Sequence, residues 1–154
     1  MSNFGNAPAG RNVDSITYFA HVAGGLAGLS ATGLIEGAVV VNPMDGSIDD
    51  NQAVLPTMAG AKGVLGVVTD SYGAEGPVEG RPTSVRYLGL VGINVLPGTA
   101  VNFGDKLITA NAFGDVKPRT VEHDVDVVAI AHETIAPQSA RTRALARMQI
   151  QYLP

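Results

Sequence analysis

The sequence predicts an all-β protein made of short strands joined by turns. The chain has 19 Gly and 9 Pro among 154 residues. In a helix interior each Gly costs about 1 kcal/mol and each Pro about 3 kcal/mol. The apolar fraction is 45%, with only 5% aromatic residues and no Trp, so the core must come mainly from Ala, Val and Leu. Short β-branched runs recur between Gly, Pro and Asp, which are turn residues.

The length fits one domain of ordinary size. The absence of Cys excludes a disulfide framework and a thiolate metal site. The first residues lack the basic and apolar regions of a signal peptide. No stretch approaches the roughly 18 to 20 apolar residues of a membrane span. We therefore expect a protein made and kept in solution in a cytoplasm, with no membrane partner.

Residues 1–33 are predicted to form an extended, flexible N-terminal arm and connector, followed by a β-rich domain over residues 34–154. Ser2 to Asn12 offers little apolar surface, and such segments stay loose unless a partner orders them. Asp14 to His21 alternates as a strand does. Ala23 to Gly33 then returns to small residues, which favours a connector.

The stretch from Gly60 to Asp70 has the features of a buried strand, because it combines β-branched residues with glycines that allow close backbone approach. The longest strand signal runs from Ser84 to Val95, with a bend expected at Gly89 or Gly92. Further strands are predicted at Glu36–Asn42, Val101–Thr109, Ala112–Lys117 and Asp124–Ala131.

The last segment alternates strictly from Arg147 to Leu153, which predicts a closing strand with Met148, Ile150 and Tyr152 on one face. The residues before it, from Gln138, follow a Pro and are rich in Ala and Arg, so a short helix is an alternative. We interpret them as a polar loop.

Charge is unevenly distributed along the chain. Residues 1–80 carry two basic and eight acidic groups, a net −6, whereas residues 81–154 carry eight basic and six acidic groups, a net +2. Neither half forms the broad basic face that nucleic-acid binding requires, so no nucleic-acid partner is expected. The polarity instead favours contacts between oppositely charged neighbours.

No recognisable catalytic or metal-binding motif is present. None of the three histidines, His21, His123 and His132, has a second ligand at the i, i+4 spacing of a helical metal site. His123, Asp124 and Asp126 are candidates for a metal or acid-base site, but we interpret them as the entrance of a strand whose alternating carboxylates face water. His132-Glu133 begins like a zinc-protease motif but has no second His.

Asp45, Asp49 and Asp50 lack the spacing of a calcium loop. The glycines after Ala23 lack the Lys-Ser/Thr of a phosphate-binding loop, and no nucleophile elbow occurs. We expect no enzymatic activity, no cofactor and no metal.

One segment, Gly104-Asp-Lys-Leu-Ile108, resembles a motif of the trimeric dUTP pyrophosphatases, which are also small Gly-rich β proteins. The family's Arg-Ser-Gly, Asp-x-x-Tyr-Arg-Gly and C-terminal Gly-rich motifs are absent from this sequence. This sequence therefore lacks the active-site motifs of such a hydrolase, and a small hydrolase of this type is the less favoured alternative.

A second resemblance covers the chain from Leu34 to its end. After a Gly-plus-Val strand, the segments are Lys62-Gly-Val-Leu-Gly-Val-Val-Thr69, Val85-Arg-Tyr-Leu-Gly-Leu-Val91, Gly104-Asp-Lys-Leu107, Gly114-Asp-Val116, Val127-Val-Ala-Ile-Ala-His-Glu133 and Arg147-Met-Gln-Ile-Gln-Tyr-Leu153. This order resembles that of the small β-rich capsid decoration, or cement, proteins of tailed bacteriophages.

The resemblance implies a compact β-barrel or β-tulip-like sandwich that binds outside a phage head, often as a trimer over a junction of capsomers. We accordingly expect a virion structural protein on the capsid exterior. Its β domain and N-terminal arm would cement the shell, its partner would be the major capsid protein, and its assembly would be a homotrimer.

Capsid or subunit contacts are expected from the arm and from the Arg-rich segment near the C-terminus. The candidate contact residues are Phe4, Asn6, Arg11, Tyr18, Phe19, Arg141 and Arg143. Ordering a Gly-rich arm costs about 1 to 2 kcal/mol per residue, so the arm is expected to order only on the capsid. Deleting residues 2–20 is expected to leave a folded β domain and to abolish capsid binding.

The alternative in another functional class is a head-fibre or receptor- or glycan-binding module. Sugar-binding platforms commonly use aromatic side chains. Only four Tyr and no Trp are present, which counts against this alternative.

Overall fold

Ten β-strands provide the regular structure of the residues that the computed structural model describes, which are 15–20, 35–42, 52–57, 59–71, 82–120 and 126–149. The strands are β1 (Ser15–Ala20), β2 (Val39–Val41), β3 (Gln52–Ala53), β4 (Val64–Ser71), β5 (Pro82–Arg86), β6 (Leu90–Val95), β7 (Lys106–Thr109), β8 (Val116–Pro118), β9 (Ala129–Ala131) and β10 (Thr142–Met148). The all-β prediction is confirmed. Within these residues, no helix has the length and apolar character needed to cross a membrane.

The strands form two sheets. Sheet A has the order β2-β4-β5-β1-β3, and the other five strands close a barrel in the order β10-β6-β8-β7-β9. The pairs β1–β3 and β6–β8 are parallel, and the remaining pairs are antiparallel. Two backbone hydrogen bonds between Val41 and Val54, of 2.8 and 3.0 Å, connect β2 to the residues after β3. Because β2 and β3 are the two edges of the sheet order, sheet A curls until its edges meet.

The core consists of two aliphatic clusters. The larger cluster joins the two sheets, since it contains Val39 and Val67 of sheet A together with Ile93 and Leu107 of the barrel. The smaller cluster lies on the other face of sheet A and includes Val40. Successive residues of a strand point to opposite faces. Burial on both faces explains the uninterrupted Val run of β2.

Hydrogen bonds also hold sheet A against the barrel. Backbone amides donate to carbonyl oxygens at 2.9 Å in the pairs Asn94 to Gly37, Val39 to Gly114 and Gly60 to Thr109. In addition, Asp126 Oδ2 accepts the amide of Gly63 at 2.9 Å and that of Val64 at 3.3 Å. The carboxylates before β9 were expected to face water. At Asp126 this expectation is wrong, because that side chain is half-buried and holds the turn before β4.

The predicted long strand from Ser84 to Val95 is two strands, β5 and β6, which belong to different sheets. The chain changes sheet at Gly89, whose φ is +81°, so the predicted bend is confirmed at that residue. The prediction of one continuous strand is wrong. A glycine is needed here because a positive φ is unfavourable for residues with a Cβ.

The C-terminal strand begins earlier than predicted, at Thr142 instead of Arg147. Exposed Arg143, Leu145 and Arg147 alternate with buried Ala144, Ala146 and Met148 along β10. The predicted polar loop therefore extends too far towards the C-terminus. Alternating Ala and Arg did not indicate a buried and an exposed face without knowledge of the sheet register. Ile150 and Tyr152, predicted to share the inner face, lie outside the described residues.

Four other predicted strands, over residues 36–42, 101–109, 112–117 and 124–131, each overlap one observed strand that is shorter than predicted. The strand predicted from Asp14 to His21 is confirmed as β1. It lies between β5 and β3 in sheet A. The other residues of the predicted arm and connector are outside the described ranges.

Candidate functional site

The predicted contact residues fall into three groups. Phe4, Asn6 and Arg11 lie outside the described residues. Tyr18 and Phe19 belong to β1, where Tyr18 is half-buried and packs against the smaller core cluster. Arg141 and Arg143 belong to the barrel, at the start of β10. The structure therefore places the described candidates in both sheets.

Arg141 pairs with a buried carboxylate. Its Nε donates to Asp115 Oδ1 at 2.6 Å and its Nη2 donates to Asp115 Oδ2 at 3.2 Å. The Asp115 side chain is 1% exposed and also accepts a hydrogen bond from Asn111 Nδ2 at 2.9 Å. The Arg141 guanidinium also lies 5.9 Å from the ring centre of Phe113. These contacts attach β10 to the turn between β7 and β8.

Arg143 connects the barrel to sheet A. Its Nη1 donates to Glu36 Oε1 at 3.0 Å, and its Nη2 donates to the backbone oxygen of Glu36 at 3.0 Å. Both side chains are about half exposed, so water screens the ion pair. The aliphatic part of Arg143 covers Gly92, where an added Cβ would lie 2.5 Å from Arg143 Cδ.

An open groove of about 260 Å³ lies where Arg143 meets sheet A. Its barrel side includes Leu90, Gly92 and Leu145, and its sheet A side includes Val68. Leu90 and Leu145 are each 41% exposed. Pockets for small molecules usually measure about 300 to 1,000 Å³. The groove is also lined by polar side chains, those of Glu36, Thr69, Arg86 and Arg143. Its lining is therefore mixed, and it is smaller than most small-molecule pockets.

Two exposed aromatic rings were not identified from the sequence. Phe103 is 67% exposed, and its ring centre lies 5.5 Å from that of His132. Phe113 is 45% exposed beside Arg141. Each Phe precedes a Gly in a turn, at Gly104 and Gly114. An aromatic residue that precedes a turn glycine is the local signal that could have identified both.

Among the described side chains, no group of three or more His, Asp or Glu is arranged to hold a metal ion. His21, Asp45, Asp49, Asp50, His123 and Asp124, which the sequence analysis weighed as metal or acid-base candidates, lie outside the described residues.

Comparison with known proteins shows a likeness to solved structures and to no protein family. No protein-family model and no curated protein matches this chain. Among solved structures, it is similar to the N base of the head fiber gp8.5 of bacteriophage phi29, with a TM-score of 0.49 and 15% sequence identity. The match covers 88% of this chain and 92% of that chain. At this TM-score and identity, the likeness does not transfer a function from that protein to this one.

Proposed function

We propose that this protein is a virion structural protein that binds the outer surface of a phage capsid and stabilises the shell between capsomers. The β domain and the N-terminal arm both take part, the major capsid protein is the partner, and the assembly is a homotrimer. The protein has no catalytic role.

The observation that carries this proposal is where the segments resembling the decoration family lie in the fold. They contribute to β2, β4 and β5 of sheet A and to all five strands of the barrel, β6 to β10. Two of their glycines, Gly66 and Gly114, lie in close contact with the backbone of another segment. A Cβ at Gly66 would overlap the carbonyl oxygen of Arg86, and one at Gly114 would lie 2.6 Å from the carbonyl oxygen of Val39. The short apolar segments therefore carry the packing of this fold.

The shared core supports a mechanical role. One aliphatic cluster contains residues of both sheets, and folded interiors are packed as densely as organic crystals. A load on one sheet is thus transmitted to the other without a soft hinge between them. A protein that holds two capsomers together needs this stiffness.

The position of β1 gives the arm a firm attachment. Residues 1–14 precede Ser15, which is paired with Arg86 at the start of β1. Five residue pairs join β1 to β5. Tension on the arm reaches the sheet through these pairs. An arm that orders on the capsid therefore transmits force into the sheet.

The charge distribution supports an assembly of several copies. The two parts of the chain have opposite net charge, −6 for residues 1–80 and +2 for residues 81–154. Contacts between unlike patches of identical subunits close into rings when the rotation permits, and a trimer is one such ring.

Co-sedimentation with capsid shells that lack this protein tests the proposal. We expect the full chain to sediment with the shells at saturable stoichiometry, and a chain without residues 2–14 to remain folded but to bind more weakly. Bovine serum albumin serves as the control for trapping in the pellet. If the full chain stays in the supernatant at every shell concentration, the proposal is wrong.

A further inference from the structure

A row of basic and aliphatic side chains crosses the outside of the barrel. Arg147 of β10 lies directly opposite Leu90 of β6 on one side and Ile130 of β9 on the other. Ile130 in turn lies opposite Lys106 of β7. Paired residues on neighbouring strands present their side chains on the same face. We call these four residues, Leu90, Arg147, Ile130 and Lys106, the basic row.

The burial pattern confirms that this row faces outwards. Leu90 is 41% exposed, Lys106 and Arg147 are exposed, and Ile130 is half-buried. Their chain neighbours Leu107, Ala129, Ala131 and Ala146 are each 0% exposed and point into the barrel. Neighbouring strands are about 4.8 Å apart, so Lys106 and Arg147 stand roughly 10 Å apart with Ile130 between them.

Neither cation in the row is neutralised within the described parts of the chain. Arg141 and Arg143 have carboxylate partners there, Asp115 and Glu36. No described acidic side chain pairs with Lys106 or Arg147, and none of the four positions of the row is acidic. The row thus presents two positive charges on the surface of a chain whose net charge is −4.

The row also leads away from the junction between the sheets. Sheet A contacts the barrel at Asn94, Thr109 and Asp126. It reaches the row at its Leu90 end, where Arg86 Nη1 donates to the Leu90 backbone oxygen at 2.8 Å. Leu90 borders the groove beside sheet A, and Arg147, Ile130 and Lys106 follow on successive strands. The middle of the row is therefore open to a partner.

We propose that the basic row docks against an acidic protein surface that carries an aliphatic contact between its carboxylates, and, resting on the proposed function, that this surface belongs to the assembled capsid. Lys106 and Arg147 attract carboxylates and accelerate encounter. Ile130 and Leu90 exclude water from the contact and so strengthen the charge interactions. An aliphatic side chain between the cations, that of Ile130, suits a protein better than a polyphosphate, which would place charged oxygens against it.

The test compares Lys106→Glu/Arg147→Glu with wild type for binding to capsid shells that lack this protein. Lys106→Gln/Arg147→Gln removes the charges without reversing them and provides a second, milder variant. The control is Lys117→Glu on β8, which reverses one positive charge on the strand beside β7 but outside the row. Circular dichroism and thermal unfolding verify that each variant is folded.

The charge-reversal variant is expected to bind at least about tenfold more weakly, and the charge-removal variant to lie between it and wild type. Lys117→Glu is expected to stay within about twofold of wild type. Raising the salt concentration is expected to weaken wild type more than the charge-reversal variant.

Equal binding by wild type and both row variants would show that the basic row is not the docking surface, and the proposed function would be unaffected. No binding by wild type would overturn both. If sedimentation velocity instead shows a wild-type oligomer that the row variants dissociate, the row contacts a second copy and the capsid assignment is wrong. Retention of duplex DNA by wild type alone would likewise replace the protein partner with a nucleic acid.

Discussion

Asn94 joins the barrel to sheet A by donating hydrogen bonds to two consecutive backbone carbonyl groups, those of Gly37 and the residue before it. The Asn94 amide donates to the carbonyl oxygen of Gly37 at 2.9 Å, and the Asn94 side chain donates from Nδ2 to the carbonyl oxygen of Glu36 at 3.0 Å. Asn94 is 4% exposed. Its polar side chain occurs in an otherwise apolar strand because it satisfies the backbone of the other sheet.

Gly37→Ala is expected to destabilise the protein by about 2 kcal/mol. Gly37 has φ +85°, and a Cβ there would overlap the Asn94 side chain. The substitution therefore adds backbone strain and displaces a hydrogen-bonded side chain. Urea unfolding followed by circular dichroism measures the change. A loss below about 0.5 kcal/mol would mean that this junction adapts freely.

Gly66→Ala combines steric collision with an unfavourable φ of +156°, whereas Gly89→Ala tests backbone strain alone. At Gly66 an added Cβ would collide with the backbone of Arg86 on the next strand, so the expected loss exceeds about 3 kcal/mol. At Gly89 nothing lies within 4 Å of the added Cβ, and only the positive φ opposes it, for a loss of about 1 kcal/mol. Equal losses in parallel urea titrations would contradict the close approach of β4 and β5.

The two arginine ion pairs are expected to differ in strength. Arg141→Met leaves the buried Asp115 carboxylate without its cation, for a loss of about 2 kcal/mol; the cost stays below that of a fully buried pair because Arg141 is itself 36% exposed. Glu36→Gln keeps an oxygen acceptor for the exposed Arg143 and should change stability by less than about 0.5 kcal/mol. Thermal unfolding of both variants in the same buffer checks the order, and the reverse order would contradict it.

Thr109→Val tests a buried hydrogen bond between sheets. Thr109 is 0% exposed, and its Oγ1 accepts the amide of Ala61 at 2.6 Å. Valine keeps the shape and removes the acceptor, so the Ala61 amide is left unsatisfied and the loss should be about 1 to 3 kcal/mol. The rate of hydrogen exchange at that amide should rise by at least the factor that corresponds to this loss of free energy. An unchanged exchange rate would show that the amide does not depend on this acceptor.

Two N-terminal deletions are expected to behave differently. Removal of residues 2–14 spares β1 and should leave the thermal transition cooperative. Removal of residues 2–20 deletes a strand that pairs with β5 and β3, and should abolish cooperative unfolding. This replaces the expectation that the longer deletion leaves a folded domain. Cooperative unfolding of the longer deletion would show that sheet A forms without β1.

The local residue pattern was sufficient to predict a strand where that pattern directly reflects which faces of the strand are buried. The Val and Gly of the stretch from Gly60 to Asp70 predicted β4 because both of its faces are buried, and the alternation from Asp14 to His21 predicted β1. The boundary at Gly89 was ambiguous, since Leu88 and Leu90 continue the apolar pattern on both sides of it although β5 and β6 belong to different sheets.

The candidate sites depended on distant pairings that local pattern does not encode. Asp115 and Arg141 are 26 residues apart, and Glu36 and Arg143 are 107 residues apart. The basic row requires the register of β10 against both β6 and β9. Lys106 and Arg147 resemble ordinary surface cations in the sequence, and only the closed barrel aligns them around Ile130.

The most direct test of the central claim is a cryo-electron microscopy difference map between capsid shells with and without the purified protein. The account predicts additional density on the outer surface at junctions between capsomers, into which the two-sheet fold can be fitted with the basic row facing the shell. Identical maps at saturating protein would contradict it.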